Sequence, residues 1–236
     1  MNRATSPVRA RSERVPPVLR ARALHLSYGP AAAVAGVDLS VDPGEVVGVV
    51  GASGSGKTTL LHCLSGLLLA DSGSVLFRDR PVETMTVRQR DELRRSHFGF
   101  VFQFGDLVPE LTLLENVSLP LRLQGTRAAE ARRRAGEQLE ALGVGGLGRR
   151  TVGEVSGGEL QRAAIARALV HRPDVVFADE PTGALDDRNS EVVFGLLLER
   201  AREHGAAVVL VTHDRHLAAR TDRTVVLAAG RVVEPA

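Results

Sequence analysis

The feature that most constrains this chain is a glycine-rich octapeptide set between an apolar run and a helix-forming segment. Val46-Val47-Gly48-Val49-Val50 reads as a strand buried on both faces. It enters Gly51-Ala52-Ser53-Gly54-Ser55-Gly56-Lys57-Thr58, and a helix is expected to follow to about Ser65. The octapeptide fits G-x-x-x-x-G-K-[ST] at every fixed position. Such a loop suits a polyphosphate. Its N–H groups face an anion closely only where no Cβ intervenes, and the helix dipole adds to the attraction. Lys57 is then expected to reach the outer phosphates and the Thr58 hydroxyl to ligate Mg²⁺. The other basic positions of the chain are all Arg, so its one Lys stands where a compact, flexible charge is wanted.

The same chemistry needs a carboxylate. Val175-Val176-Phe177-Ala178 reads as a buried strand that delivers Asp179 and Glu180 to a sheet edge. Asp179 is the expected metal ligand. Glu180, one residue beyond, is placed to orient and deprotonate an attacking water.

Around these segments strands alternate with helices, which implies an α/β parallel core. Strands are expected at 19–26, 37–41, 74–77, 98–102 and 207–212, with a closing hairpin at 224–227 and 231–234. Helices are expected at 157–170 and 190–204. Residues 111–150 change character, and Pro120, Leu139, Leu142 and the Arg132-Arg133-Arg134 run suggest helices packed as a separate lobe with a solvated basic face.

Composition excludes several classes. The longest uninterrupted apolar run, Ala206 to Val211, is far short of the ~20 residues that span a bilayer, and the Arg-rich start lacks the apolar segment of a signal peptide. These features point to a cytoplasmic protein that reaches a membrane only by docking. Residues 1–22 hold six Arg against Glu13, a net of +5; with +2 for the whole chain, residues 23–236 sum to −3. The basicity sits in a leader expected to be disordered over residues 1–18, and no nucleic-acid partner is expected. The lone Cys63 excludes a disulfide framework and reads as a buried thiol.

Val155-Ser156-Gly157-Gly158-Glu159-Leu160-Gln161-Arg162, just upstream of the Asp-Glu strand, resembles the signature motif of ABC ATPases. The resemblance covers about residues 19–234. It implies a P-loop NTPase core with a parallel sheet, an N-terminal antiparallel β subdomain and an inserted α-helical subdomain at about 104–170, all within a domain of residues 19–236. It implies ATP and Mg²⁺ as the bound species. Tyr28 matches the aromatic residue that stacks on adenine; outside the resemblance it reads as a turn residue beside Gly29-Pro30. Gly51 to Thr58, with Thr59, match the phosphate cradle. Gln103 matches the glutamine that touches Mg²⁺ and water and leads into the membrane-subunit contact. Asp186, in Gly183-Ala184-Leu185-Asp186, matches a loop that crosses a dimer interface, and His213 matches a switch residue that contacts the γ-phosphate.

Catalytic roles thus fall to Glu180, His213, Gln103 and Lys57. Ser156, Gly157 and Gly158 are implied to close over ATP bound to a second copy, in a head-to-tail homodimer. The implied partner is an integral membrane permease (FtsX/MacB-like), which would hold the chain at the inner face of the cell membrane. Asp179-Glu180-Pro181-Thr182-Gly183-x-Leu185-Asp186 and Ser-Gly-Gly-Glu look like the group that contains macrolide-export, lipoprotein-releasing and peptide-antibiotic-resistance ATPases. Val155, Leu160 and Ala184 depart from that group's usual residues. The same group includes ATPases that drive a membrane partner to signal to cell-wall enzymes, so an exporter and a mechanical device are both compatible with these motifs.

Overall fold

The computed structural model describes residues 15–233. The first 14 residues of the expected leader and Glu234 of the expected hairpin lie outside that range.

The chain opens with β1 (Leu19–Tyr28) and β2 (Ala31–Val41), then β3 (Val46–Val50), α1 (Lys57–Leu64), β4 (Ser72–Phe77) and β5 (Arg80–Pro81). Helix α2 (Val87–His97) leads into β6 (Phe98–Phe102). A helical stretch follows: α3 (Leu113–Leu123), α4 (Ala128–Ala141) and α5 (Gly157–Leu169). The alternation then resumes with β7 (Val175–Asp179), α6 (Asp187–His204), β8 (Ala207–Thr212), α7 (Arg215–Ala218), β9 (Arg223–Ala228) and β10 (Arg231–Val233).

Two sheets result. A four-stranded antiparallel sheet has the order β2-β1-β4-β5, and a six-stranded sheet has the order β10-β9-β3-β8-β7-β6. In the second, β6, β7, β8, β3 and β9 are parallel and only β10 runs against its neighbour. The fold is therefore the expected α/β one.

Buried strands explain this layering. Successive side chains of a strand point to opposite faces, and here each face meets its own apolar cluster. Val46, Val176, Val208 and Leu210 join Leu113, Val117, Leu139, Ile165 and Phe194 from the helical side. Val47, Val49, Phe177, Val209 and Val211 join Leu60, Leu64 and the inner face of the antiparallel sheet. The apolar residues of α3 and α4 share the first of these clusters with the parallel sheet, so the stretch read as a separate lobe packs on the sheet through α5. Of the Arg132-Arg133-Arg134 run, Arg134 departs from the solvated reading: it is half-buried and donates to Val170 O at 2.9 Å.

Register places the functional edge. Val50 pairs with Thr212, Asp179 with Val211, and Phe102 with Asp179. The residues that follow these strands, Gly51, Gln103, Glu180 and His213, emerge together at the carboxyl edge of the sheet, where α/β folds bind ligands.

Candidate functional site

The phosphate loop leaves β3 and becomes α1 with Gly56 at the N-cap. Gly56 has φ +100°, and a Cβ there would lie 1.9 Å from the Ala33 carbonyl oxygen, so only glycine fits. Lys57 is buried, and its Nζ donates to Gly51 O at 2.9 Å and Ala52 O at 3.1 Å. These bonds hold the ammonium within the loop.

A cavity of about 720 Å³ opens in front of this loop. Tyr28, Ser53, Gly54, Gly56, Lys57, Thr58, Thr59, Gln103, Glu180 and His213 line it, together with Ala33, which the motifs did not single out. Tyr28 is 58% exposed at the end of β1, so its ring is open to a stacking ligand. Gly51 and Ala52 contribute carbonyls behind Lys57, and Ser55 is buried beneath the loop.

The two carboxyls of the acidic pair sit in different environments. Asp179 Oδ1 is buried without a hydrogen-bond partner. Burial, the largest cause, pushes its carboxyl pKa up, and the Glu180 charge adds to this; a hydrogen bond from Thr58 and the charges of His62 and Lys57 oppose it. A carboxylate with a buried free oxygen beside a threonine hydroxyl fits a hard cation such as Mg²⁺. Among the described residues no cluster of three or more His, Cys, Asp or Glu could hold a metal by itself. An ion at the Asp179 carboxylate would take its remaining ligands from substrate phosphates and water. Asp179→Asn is therefore expected to stabilise the protein measured without metal by about 1–2 kcal/mol, since it removes an incompletely satisfied buried charge. The same change is expected to abolish Mg²⁺-dependent turnover. A melting curve in chelator that is unchanged or lowered would contradict the first expectation.

Glu180 is held at three points. Its backbone, at φ +45°, donates N–H to Val211 O at 2.9 Å. Thr212 Oγ1 donates to Oε2 at 3.2 Å, and His213 Nδ1 lies 2.8 Å from Oε1. With Nδ1 facing the carboxylate, Nε2 is the ring nitrogen left open to the cavity, and it donates to a phosphate oxygen only when both ring nitrogens carry a proton. Thr212 was missed by sequence reasoning; its hydroxyl also accepts the Asp214 N–H at 3.0 Å and so shapes the turn that carries His213. Gln103 packs against Gly183, where a Cβ would sit 2.9 Å from Gln103 Nε2.

Ser156, Gly157, Gly158 and Asp186 do not line this cavity. They form a second grouping at the starts of α5 and α6. Ser156 Oγ donates to Glu159 Oε2 at 2.7 Å, which with the Ser156 N–H holds the Glu159 carboxyl below its usual pKa. Asp186 caps α6 by accepting from Asn189 N at 2.9 Å and Asn189 Nδ2 at 2.6 Å. A Cβ on Gly157 would reach Leu185 at 3.4 Å, and one on Gly158 would reach Asn189 at 3.6 Å, so the two segments abut. One chain thus presents a phosphate cavity and, apart from it, an exposed glycine-led helix start.

Residues 34–183 match the family model described as ABC transporter. The chain belongs to the ABC transporter family. It is an ATP-binding subunit of that family, an ATPase.

Two similar curated relatives extend over nearly the whole ABC chain. The lipoprotein-releasing system ATP-binding protein LolD of Xanthomonas euvesicatoria pv. vesicatoria is 46% identical over 226 residues, 94% of this chain and 93% of that one. LolD 2 of Caulobacter vibrioides is 46% identical over 220 residues, 92% of this chain and 96% of that one. Among solved structures, the dimeric ABC transporter cassette MJ0796 superposes with a TM-score of 0.85 at 35% identity, covering 92% of this chain and 97% of that one. A second dimeric structure of MJ0796, in a post-hydrolysis state with ADP and Pi bound, superposes with a TM-score of 0.84.

Proposed function

We propose that this ATPase hydrolyses ATP with Glu180 as the base for the attacking water. The observation that carries the reading is the fixation of both Glu180 carboxylate oxygens, by Thr212 and His213, in the cavity that also holds Lys57 and Thr58. In this reading Lys57 and the loop N–H groups hold the phosphates, His213 contacts the γ-phosphate, and Tyr28 stacks on the base. Thr58, Asp179 and Gln103 would hold Mg²⁺, which when bound supplies positive charge to the phosphate oxygens.

We propose further that two chains pair head to tail, so that Ser156, Gly157, Gly158 and Asp186 of one serve the nucleotide of the other. The separation of these residues from the cavity within one chain supports this, as do the dimeric MJ0796 cassettes. ATP then favours the closed dimer by its extra affinity for it, and hydrolysis releases that bias. The segment at about 104–170 is proposed to move as one unit.

The proposed partner is a membrane permease. Among the described residues no helix is long and apolar enough to cross a bilayer. An apolar groove of about 490 Å³, lined by Phe98, Phe100, Phe102, Leu119 and Leu123 between α2, β6 and α3, opens beside the Gln103 loop. Exposed Phe104 stands at the same loop. Docking there would place the chain peripherally on the inner face of the cell membrane and connect permease motion to Gln103. The name of the relatives points to a lipoprotein-releasing exporter as the system powered.

The test is a pull-down from detergent-solubilised native membranes with the Glu180→Gln protein and ATP. A stoichiometric multi-span permease is expected. Soluble or nucleic-acid partners in place of any membrane protein would overturn the transporter reading.

A further inference from the structure

The nucleotide cavity straddles two separately hydrogen-bonded sheets. Tyr28 ends β1 in the antiparallel sheet, whereas the phosphate loop leaves β3 in the parallel one. Gly230, in the turn between β9 and β10, joins them. Its N–H donates to Ser55 O in the phosphate loop at 3.0 Å, and its carbonyl accepts the Ala35 N–H of β2 at 2.8 Å. Ala35 pairs in register with His25 of β1, three residues before Tyr28, and Tyr28 itself pairs with Ala31. A continuous backbone path therefore runs from the phosphate loop through Gly230 and β2 to Tyr28.

Gly230 has no room for a side chain. Its φ is +74°, and a Cβ would lie 2.9 Å from Ala33 O and 3.3 Å from Val34 Cα. The Ala33 carbonyl is the same one that excludes a side chain from Gly56, and a Cβ on Gly56 would come within 3.7 Å of Gly230 Cα. Gly56, Ala33 and Gly230 thus pack backbone on backbone at the junction of the two sheets. Ala33 also lines the cavity.

We propose that Gly230 is a positioning residue for nucleotide binding, one that fixes the spacing between the Tyr28 ring and the phosphate loop. The proposal rests on the reading of Tyr28 as the base-stacking residue. A ligand gripped at both ends binds tightly only if the two grips are held at its own length beforehand, because any slack must be removed on binding. Inorganic tripolyphosphate engages the loop alone and does not depend on that spacing. The C-terminal hairpin, which carries no motif residue, thereby becomes part of the nucleotide site.

The experiment is a double-variant cycle with two ligands, a non-hydrolysable ATP analogue and tripolyphosphate. Tyr28→Ala should weaken the analogue and leave tripolyphosphate within about 2-fold. Gly230→Ala, strained at this φ, should weaken the analogue about 10-fold more than it weakens tripolyphosphate, any loss common to both ligands reporting the bond to Ser55 in the loop itself. In the Tyr28→Ala background Gly230→Ala should cost the analogue no more than about 2-fold beyond that common loss, since coupled positions are non-additive. Equal losses for both ligands in Gly230→Ala, or losses that multiply in the double variant, would overturn the proposal while leaving Tyr28 as the stacking residue. Equal losses for both ligands in Tyr28→Ala would remove the stacking reading and the proposal with it. Amide exchange in the unaltered protein makes the test independent of whether Gly230→Ala folds. The analogue should slow exchange at Ala35 and Gly230 by about 10-fold or more, and tripolyphosphate should not slow Ala35; equal protection of Ala35 by both ligands overturns the proposal.

Discussion

Replacing Glu180 with Gln is expected to lower the ATPase rate about 10³-fold, within the range that a positioned general base contributes, while leaving ATP bound. The substitution keeps shape and volume, so the geometry around position 180 survives. The backbone bond to Val211 O is untouched, and the Thr212 hydroxyl can still donate to the remaining amide oxygen. What is lost is the proton acceptor. ATP binding is spared because the proposed grip on the phosphates, the loop with Lys57, is untouched, and removing a negative charge from the cavity favours the polyanion. Under the dimer proposal the bound, unhydrolysed nucleotide should accumulate paired chains. Single-turnover phosphate release and size-exclusion chromatography with ATP check the two halves. Near-normal turnover in this variant would remove Glu180 from the role, and the search for a base would move to His213 and Gln103, its neighbours in the cavity.

The parts of the molecule legible in the sequence are those in which the deciding interactions are local or uniform. Four strands, Val46–Val50, Phe98–Phe102, Val175–Asp179 and Ala207–Thr212, have the bounds that their apolar runs predict. A strand buried on both faces needs nothing but apolar residues, and few other structures tolerate such a run. Helix α2 was not foreseen: of its eleven residues only Leu93 is buried, so it shows almost no apolar periodicity. What starts it is the Thr86–Gln89 capping box, two residues in an otherwise polar stretch. Helix α6 starts at Asp187 and not at Ser190, because Asp186 accepts the Asn189 N–H and so begins the helix three residues early. Strands β1 and β2 run on to Tyr28 and from Ala31, since cross-strand pairing continues to the turn where composition alone had faded. Within the site, the phosphate loop and the Asp-Glu pair could be read because each is a contiguous segment. Thr212 could not: its contact with Glu180 spans 32 residues and exists only because β7 and β8 lie side by side. The bond from Gly230 to Ser55 is hidden for the same reason.

Lys57→Ala is expected to weaken ATP at least about 100-fold, which corresponds to one lost charge-assisted hydrogen bond at the upper end of the usual range. The argument begins with burial. Lys57 is the chain's one lysine, is only 9% exposed, and has its ammonium held by Gly51 O and Ala52 O. A buried cation so close to the helix start adds to the dipole field that attracts the phosphates, and it is screened by water far less than a surface arginine would be. Lys57→Arg should not restore binding. A planar guanidinium cannot occupy the space of a tetrahedral ammonium between two loop carbonyls, and its donors leave in a fixed fork. Because the alanine variant also strips two carbonyls of their donor, its thermal stability should fall modestly even without nucleotide, and this separates it from Glu180→Gln. Equilibrium titration with a fluorescent ATP analogue decides the matter. Affinity within a few-fold of the unaltered protein would mean that the loop N–H groups alone hold the phosphates, and Lys57 would then be a structural clasp of its own loop.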